Sequence, residues 1–323
     1  MRVTVIGAGA VGGWLAATLA KGGADVALVA RGDTLAHVRD HGLMVLNGDR
    51  CDVHRLPAAD RARDLPLPDV VVIAVKTHAF ADVVADAASV LAHGPLLVNA
   101  MNGLPWWFLD SIGGPLNNQR LDSIDPGGKA AALLEAMRPV GAVVHASTRA
   151  ESPGVIRVAA VDKLILGEPG GIVSRETLAL NQMINEGGVE SILADDIRRE
   201  IWAKLWGNMN MNPVSALTRL TANGIFAEPR LFELVRAMMT EFVQVGAGLG
   251  IALPMSVDER LVVTRRLGDF RTSMLNDVEA GRALEVEGLL GVVVELAEKL
   301  GESVPASRTV YALARGLNLR HSG

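Results

Sequence analysis

The sequence is poor in several features, and each shortage excludes a class of protein. Cys51 is the one cysteine in 323 residues, which excludes an internal disulfide framework and a cysteine-rich metal cluster. No metal site is therefore expected. Lysine and arginine (31) do not outnumber aspartate and glutamate (36), so a basic nucleic-acid-binding surface is not expected.

Long apolar runs and an export signal are also missing. No segment approaches the ~18 uninterrupted apolar residues that a membrane-spanning helix needs. The N-terminal stretch MRVTVIGAGAVGG turns glycine-rich too early for a signal peptide. The sequence thus predicts a cytoplasmic protein with no membrane partner.

Hydrophobic residues, by contrast, are plentiful. They make up 50% of the chain, and the mean hydropathy is +0.29. This composition is sufficient for a large buried core, and the length favours about two domains.

The first thirty residues have the pattern of a dinucleotide-binding unit. A β-branched strand at 2–6 is followed by GAGAVGG at 7–13, an apolar-periodic helix that stops at Gly22, and a second strand, DVALVAR. Strand, glycine loop, helix and strand in this order are the context that the G-x-G-x-x-G fingerprint requires. The alternative is a glycine-rich turn in a doubly wound fold that has lost its ligand.

Each glycine of this loop has a separate predicted role. Gly7 permits the tight turn, Gly9 lets a pyrophosphate approach the backbone, and Gly12 lets the helix pack closely on the strand. Ala10 and Val11 lie at the helix N-terminus, whose free N–H groups and positive dipole end suit phosphates.

The residue after the second strand indicates which dinucleotide is bound. An acidic residue there would bond the ribose 2′-hydroxyl of NAD, but this chain has Arg31. A guanidinium suits a 2′-phosphate, so NADP(H) is the predicted cofactor. Asp33 lies close enough to keep NAD open, and Arg31 could also be a solvated loop residue.

Two later strands end in polar residues. DVVVIAVK (69–76) ends at Lys76, and LLVNAMNG (96–103) ends at Asn102 and Gly103. Ligands bind at the carboxyl ends of strands in open α/β sheets, so both side chains are candidates for the site. Further strands are predicted at 141–147, 154–160, 163–169 and 189–193, with an antiparallel hairpin among them and a helix at 174–188 capped by Ser174.

From about residue 195 onward the pattern becomes helical. Apolar residues recur at helical spacing in DDIRREIWAKLW and in later segments that end at glycine. The predicted fold is an α/β Rossmann-type domain (1–194), with a mostly parallel doubly wound sheet and an antiparallel extension, followed by an all-α domain (195–323). A substrate site is expected in the cleft between them.

The stretch KLWGNMNMNP (204–213) places a lysine and three asparagines in an otherwise apolar helix. Lys204, Asn208 and Asn212 advance about 40° per step and share one ridge about 12 Å long. Asn210 points elsewhere and is given no catalytic role. The ridge predicts a polar lining in which Lys204, with a lowered pKa, acts as a general acid. Ordinary helix-packing amides are the alternative.

The chain resembles the ketopantoate reductase family over nearly its whole length. The resemblance rests on GAGAVGG, the Arg31 loop, VK at 75–76, NG at 102–103, KLWGNMNMNPVSALT and SMLNDVEAGRALEVEGLLG at 273–291. It implies NADPH-dependent reduction of 2-dehydropantoate to pantoate, for pantothenate and coenzyme A. A homodimer through the helical half is an expectation from fold analogy alone.

The resemblance also implies roles for single residues. Lys204 would donate the proton, and Glu285 would bond the substrate hydroxyl and position the lysine. Asn102, Asn208, Asn212 and Ser273 would bind substrate. Asn208 and Asn212 would also contact the cofactor, Asn102 would lie near the nicotinamide, and Lys76 would lie at the cofactor site. Asn223 is a weaker match because its flanks differ in spacing.

Physical chemistry constrains one of these pairs. Ser273 and Glu285 are about 120° out of phase on one straight helix. They can share a site only if the helix breaks between them, and Gly281 is the natural place for the break. Without the resemblance, Glu285 could equally be a surface glutamate; its neighbour Glu287 faces elsewhere.

Two departures from the family pattern concern the substrate. Ala79, with His78 before it, stands where the family often has a glutamine. Trp106 and Trp107 follow the strand-end asparagine and could reshape the substrate side of the cleft, pack a loop or form an oligomer contact. Three hypotheses about the function therefore stay open: a ketopantoate reductase, a reductase of another 2-keto acid or an imine, and a non-catalytic NADP(H) sensor.

Overall fold

The computed structural model describes residues 1–319, and these form two compact units. The first unit comprises Met1–Met101 and Lys129–Glu200, and the second comprises Asn102–Gly128 and the chain from Ile201. The second unit thus begins a few residues later than the predicted boundary at 194–195. It also includes the segment 102–128, which sequence order had assigned to the first domain.

The first unit is built on one large sheet. Its order is β4-β3-β9-β8-β7-β6-β1-β2-β5, and β10 pairs with β9. The central strands β2, β1, β6, β7 and β8 run parallel, as expected for a doubly wound fold. The strands β1 to β10 are Arg2–Ile6, Asp25–Val29, Leu43–Asn47, Arg50–His54, Ala58–Ala59, Val70–Ile73, Leu96–Asn99, Arg138–Ser152, Val155–Gly167 and Ser191–Leu193.

Helices cover this sheet because its central strands are apolar on both faces. Every residue of β6 and β7 is buried, which only a sheet covered on both sides allows. The helices α1 to α5 are Ala10–Lys21, Gly32–His41, Phe80–Leu91, Lys129–Leu133 and Arg175–Glu186. Ser174 caps α5 by accepting a hydrogen bond from the Thr177 amide.

The antiparallel extension consists of two long strands, β8 and β9. The separate strands predicted at 154–160 and 163–169 are one strand. The pairing continues across Asp162, which looked like a turn, through register shifts such as the one between His145 and Ala146. These irregularities bend the ladder without ending it.

The second unit is helical, as predicted. Its aromatic core stacks Trp202 between Phe108 and Phe242, with ring centroids 6.0 and 4.0 Å away. No helix among residues 1–319 has the length and apolar character needed to cross a membrane. From Ile197 the helices α6 to α12 are Ile197–Thr218, Ala222–Ala227, Pro229–Gly248, Val257–Arg266, Ser273–Glu279, Val292–Leu300 and Pro305–Asn318.

Trp106 and Trp107 belong to this core. They are 8% and 1% exposed, so their main role is packing of the segment 102–128 and not an exposed contact. The same segment is fixed at its far end, where Glu295 of α11 accepts hydrogen bonds from the amides of Asp122 and Ser123.

Candidate active site

The glycine loop after β1 is packed as tightly as its sequence predicts. Gly7 has φ +108°, and a Cβ there would lie 2.6 Å from the Ala74 carbonyl oxygen. A Cβ on Gly12 would lie 1.9 Å from the Gly7 carbonyl oxygen. Both positions therefore require glycine for the protein's own packing.

Gly9 differs, because a Cβ there would meet no protein atom within 4 Å. Gly9 is the N-cap of α1, makes no side-chain cap, and no acidic residue lies in the first turn. The amides of Ala10 and Val11 lie in the first turn of α1, where N–H groups have no partner within the helix, and no acceptor for them is found among residues 1–319. Open space in front of such a helix end fits an anionic group such as a pyrophosphate.

Arg31 lies two residues beyond β2, with its side chain 64% exposed. Its Nη2 is 3.6 Å from Oδ2 of Asp86 on α3, and Arg61 Nη1 is 3.5 Å from Oδ1 of the same carboxylate. Asp33 lies in the first turn of α2. Sequence reasoning missed both Arg61 and Asp86.

Lys76 is half-buried and follows β6. Because β1 and β6 are parallel neighbours with Ile6 opposite Ile73, Lys76 leaves the sheet at the same edge as the glycine loop. His78 is exposed and Ala79 half-buried in the short 3₁₀ turn that follows.

In the second unit, Lys204 lies on α6 and is half-buried. Desolvation lowers its pKa from 10.5 to about 8, and the nearby carboxylate of Glu285 acts in the opposite direction by favouring the charged ammonium. The structure thus brings together two residues that lie far apart in sequence. An ammonium with such a pKa is a stronger proton donor than an ordinary lysine and is still mostly charged at pH 7.

The three asparagines after Lys204 have different environments. Asn210 is buried and donates a hydrogen bond from Nδ2 to the Trp206 carbonyl oxygen, 2.5 Å away, so its side-chain amide is engaged within its own helix. Within the part of the chain that the structure describes, the side chains of Asn208 and Asn212 bond to no other residue. Both amides are thus available to a ligand.

Ser273 is the first residue of α10 and is exposed. The N-cap before it, Thr272, bonds through Oγ1 to the hydroxyl of Ser215, 2.5 Å away, and Ser215 donates to the Asn212 carbonyl oxygen. These contacts place the start of α10 beside the Asn212 end of the lysine helix.

A helix break lies between Ser273 and Glu285, which is the condition that their helical phase sets for a shared site. α10 ends at Glu279, and Gly281 has φ +66°. The chain re-enters a helix with a π-helical turn at Glu287–Gly291. π-Turns are uncommon and are often found at functional sites.

Glu287 makes contacts different from those of Glu285. It accepts a hydrogen bond from the Tyr311 hydroxyl and pairs with Arg315, both on α12. Burial, with the Glu287 carboxylate as a second cause, raises the pKa of Tyr311 to about 12, which keeps that hydroxyl protonated as a donor.

Asn102 reaches this region through a backbone contact. A Cβ on Gly103 would lie 2.4 Å from the Gly288 carbonyl oxygen, and Gly103 has φ +85°. The turn with Asn102 therefore packs on the π-turn that follows Glu285. Among the described residues, the Asn102 side chain has no hydrogen-bond partner. Asn223 is exposed, and its backbone N–H donates a hydrogen bond to Oδ1 of Asp269.

Arg260 is a further cation that sequence reasoning missed. Its guanidinium packs against Gly207 of the lysine helix, where a Cβ would lie 2.9 Å from Nη2. Burial lowers its pKa, and its Nε has no hydrogen-bond partner in the described chain. In the sequence it sits among the charged residues of DERLVVTRR, which is typical of a solvated helix face.

Comparison with known proteins decides the family. The family model described as "Ketopantoate reductase PanE/ApbA" matches residues 3–106, and "Ketopantoate reductase PanE/ApbA C terminal" matches residues 196–318. The chain belongs to the ketopantoate reductase family. The expected resemblance is confirmed, and the protein is an oxidoreductase of this family.

Individual relatives agree with this ketopantoate reductase assignment. The chain is 37% identical to a 2-dehydropantoate 2-reductase of Mesorhizobium japonicum, over 98% of both chains. It is 38% identical to a putative ketopantoate reductase of Ralstonia solanacearum MolK2, with a TM-score of 0.91 and coverage of 98% and 97%. A D-mandelate dehydrogenase solved with NADH and anilino(oxo)acetate is 17% identical, with a TM-score of 0.82 and full coverage of both chains; that likeness concerns the fold alone.

Proposed function

We propose that this ketopantoate reductase family member reduces 2-dehydropantoate to pantoate with NADPH, and that Lys204 is the general acid. The observation that carries the proposal is the half-buried Lys204, with a pKa lowered to about 8, next to Glu285. The family and the 37% identical reductase support the substrate class. The product would enter pantothenate and coenzyme A synthesis.

The chain's residues supply orientation and a proton. When bound, the reduced nicotinamide supplies the hydride for the substrate's carbonyl carbon. Lys204 gives a proton to the carbonyl oxygen as negative charge develops there, so the substrate gains one hydride and one proton and the lysine is left neutral. With a pKa of about 8, about ten in eleven lysines are charged at pH 7 and ready to donate.

The surrounding polar groups would hold the substrate in place. The free amides of Asn102, Asn208 and Asn212 can bond carbonyl or hydroxyl oxygens, and the Ser273 hydroxyl can bond the carboxylate. Glu285 would bond the substrate hydroxyl and keep Lys204 charged. Fixing these groups in advance is where most of the rate enhancement is expected.

The first unit would hold the dinucleotide through its glycine loop. The open space at Gly9 and the unpaired amides at Ala10 and Val11 fit a pyrophosphate. Gly7 and Gly12 shape the loop, Arg31 provides a cation for a 2′-phosphate, and Lys76 lies at the same sheet edge.

Two glycine variants separate binding from folding. Gly9→Ala is expected to weaken NADPH binding by about 10- to 100-fold through crowding of the phosphates, with an unchanged Tm, because its Cβ meets no protein atom. Gly12→Ala is expected to lower Tm by about 2–10 °C, because its Cβ would collide with the Gly7 carbonyl. Calorimetric titration measures the NADPH affinity of both variants, and thermal unfolding measures their Tm. Normal NADPH affinity in Gly9→Ala would refute the assignment of this loop as the pyrophosphate site.

The direct test of the function is turnover. NADPH oxidation is followed by absorbance with ketopantoate, with a panel of straight, branched and aryl 2-keto acids, and with NADH as the cofactor control. We expect the highest kcat/KM for ketopantoate with NADPH. If only other keto acids are turned over, the proposed substrate is wrong and the proposed hydride-transfer mechanism still stands. If NADPH binds but no carbonyl or imine is turned over, the non-catalytic sensor is favoured.

A further inference from the structure

Sheet register brings two arginines together at the end of the second strand. β2 and β5 are parallel, with Leu28 opposite Ala58 and Val29 opposite Ala59. The Ala30 amide continues the ladder to the Ala59 carbonyl oxygen. Arg31 and Arg61 each follow two residues after the last paired positions, Val29 and Ala59, so the register places both arginines just beyond neighbouring strand ends.

Both guanidiniums converge on one carboxylate. Asp86 forms an ion pair with each arginine: its Oδ2 lies 3.6 Å from Nη2 of Arg31, and its Oδ1 lies 3.5 Å from Nη1 of Arg61. Within this group of three side chains, two guanidiniums share a single carboxylate. The arginine side chains are 64% and 45% exposed, so an anion in solution can reach them.

The ion pairs of Asp86 with the two arginines are too long and too exposed to contribute much to folding stability. Exposed pairs near the 4 Å limit contribute little to folding stability because water screens them. An anion of higher charge that forms shorter, bidentate contacts can therefore take the guanidiniums away from Asp86.

We propose that Arg61 is the second half of a clamp for the 2′-phosphate of NADP(H), and that the Asp86 carboxylate competes with this phosphate for both arginines and so tunes cofactor selectivity. The inference rests on the NADPH dependence proposed above and adds Arg61 and Asp86 to Arg31. The end of the second strand is where the adenosine ribose binds in dinucleotide folds. A phosphate monoester carries about −1.5 to −2 charges at pH 7, which two guanidiniums balance and one does not.

The clamp makes a prediction about discrimination between cofactors. NADH has a 2′-hydroxyl in place of the phosphate, so loss of Arg61 removes a contact that only NADPH makes. Arg61→Ala is expected to weaken NADPH about 10- to 100-fold, the range for a lost charge-assisted contact, and to leave NADH affinity within about twofold. Asp86→Asn is expected to tighten NADPH by about 3- to 10-fold, because it removes the competing carboxylate.

Calorimetric titrations of the full-length protein with NADPH, NADH, 2′,5′-ADP and 5′-AMP test these values. Arg63→Ala is the matched control, since Arg63 is exposed in the same short helical turn, and it is expected to bind all four ligands normally. The NADPH affinity of Arg61→Ala should also depend less on salt, since one phosphate contact is lost.

Two results with Arg61→Ala would overturn the clamp: equal weakening of NADPH and NADH binding, or no weakening of either. Equal affinity of the parent protein for 2′,5′-ADP and 5′-AMP would overturn it too. Because binding is measured and not turnover, the clamp can fail while Lys204 chemistry stands. It can also hold in a protein that turns over no keto acid.

Discussion

Replacing Lys204 by alanine is expected to lower kcat by about 10²- to 10⁴-fold, the usual effect of losing a general acid. The lysine is surrounded by protein that lowers its pKa to about 8, and no other cationic side chain is proposed to protonate the carbonyl oxygen. Initial rates at saturating NADPH and ketopantoate measure the loss. A small primary amine added to the assay is expected to restore part of the rate by taking the place of the missing ammonium.

Binding and control measurements isolate the proton transfer. NADPH affinity in Lys204→Ala is expected to match that of the parent protein, because no proposed dinucleotide contact uses the Lys204 side chain. Lys129→Ala replaces an exposed lysine and is expected to leave kcat unchanged. An unaltered kcat in Lys204→Ala would refute the assignment of the acid.

Replacing Glu285 by glutamine is expected to move the alkaline limb of the kcat/KM profile to lower pH. The free enzyme should lose activity as pH rises through the Lys204 pKa, about 8, because the neutral amine cannot donate. Glu285 raises that pKa against the effect of burial. Without its charge the pKa falls further, the ammonium is lost at lower pH, and kcat/KM near pH 8 is expected to drop about 10- to 100-fold.

The neighbouring carboxylate provides the control for this variant. Glu287 contacts Tyr311 and Arg315, so Glu287→Gln should leave the position of the alkaline limb unchanged, whatever it does to stability. Profiles of kcat/KM against pH for the parent protein, Glu285→Gln and Glu287→Gln test whether Glu285 sets the pKa of Lys204. The assignment fails if the limb stays in place in Glu285→Gln, or if it shifts equally in Glu287→Gln.

Local patterns in the sequence were sufficient for a large part of the fold. The strand, glycine loop and helix at residues 2–21, the Ser174 cap and the break at Gly281 all depend on neighbouring residues. The helical phase of α6 likewise separated Asn210, whose side-chain amide bonds to the carbonyl oxygen of Trp206 in its own helix, from Asn208 and Asn212. The family and the fold class were predicted correctly from such motifs.

Features that depend on distant pairing were not predicted. The convergence of Arg31 and Arg61 follows from the register of β2 with β5, and β5 is too short to give a periodic signal. Asp162 resembles a turn residue, yet tertiary pairing keeps it within β9. The contact between Gly103 and Gly288 joins segments that no local rule connects.

The position of the segment 102–128 has a consequence for synthesis on the ribosome. Its aromatic residues Trp106, Trp107 and Phe108 and its anchor, Glu295, belong to the same unit, but the anchor is made 172 residues after Ser123. At about 5–20 residues per second, that delay is roughly 10–35 s. During it, the nascent chain carries an apolar segment before all of its partner helices have been made, so chaperone demand should peak before α11 emerges.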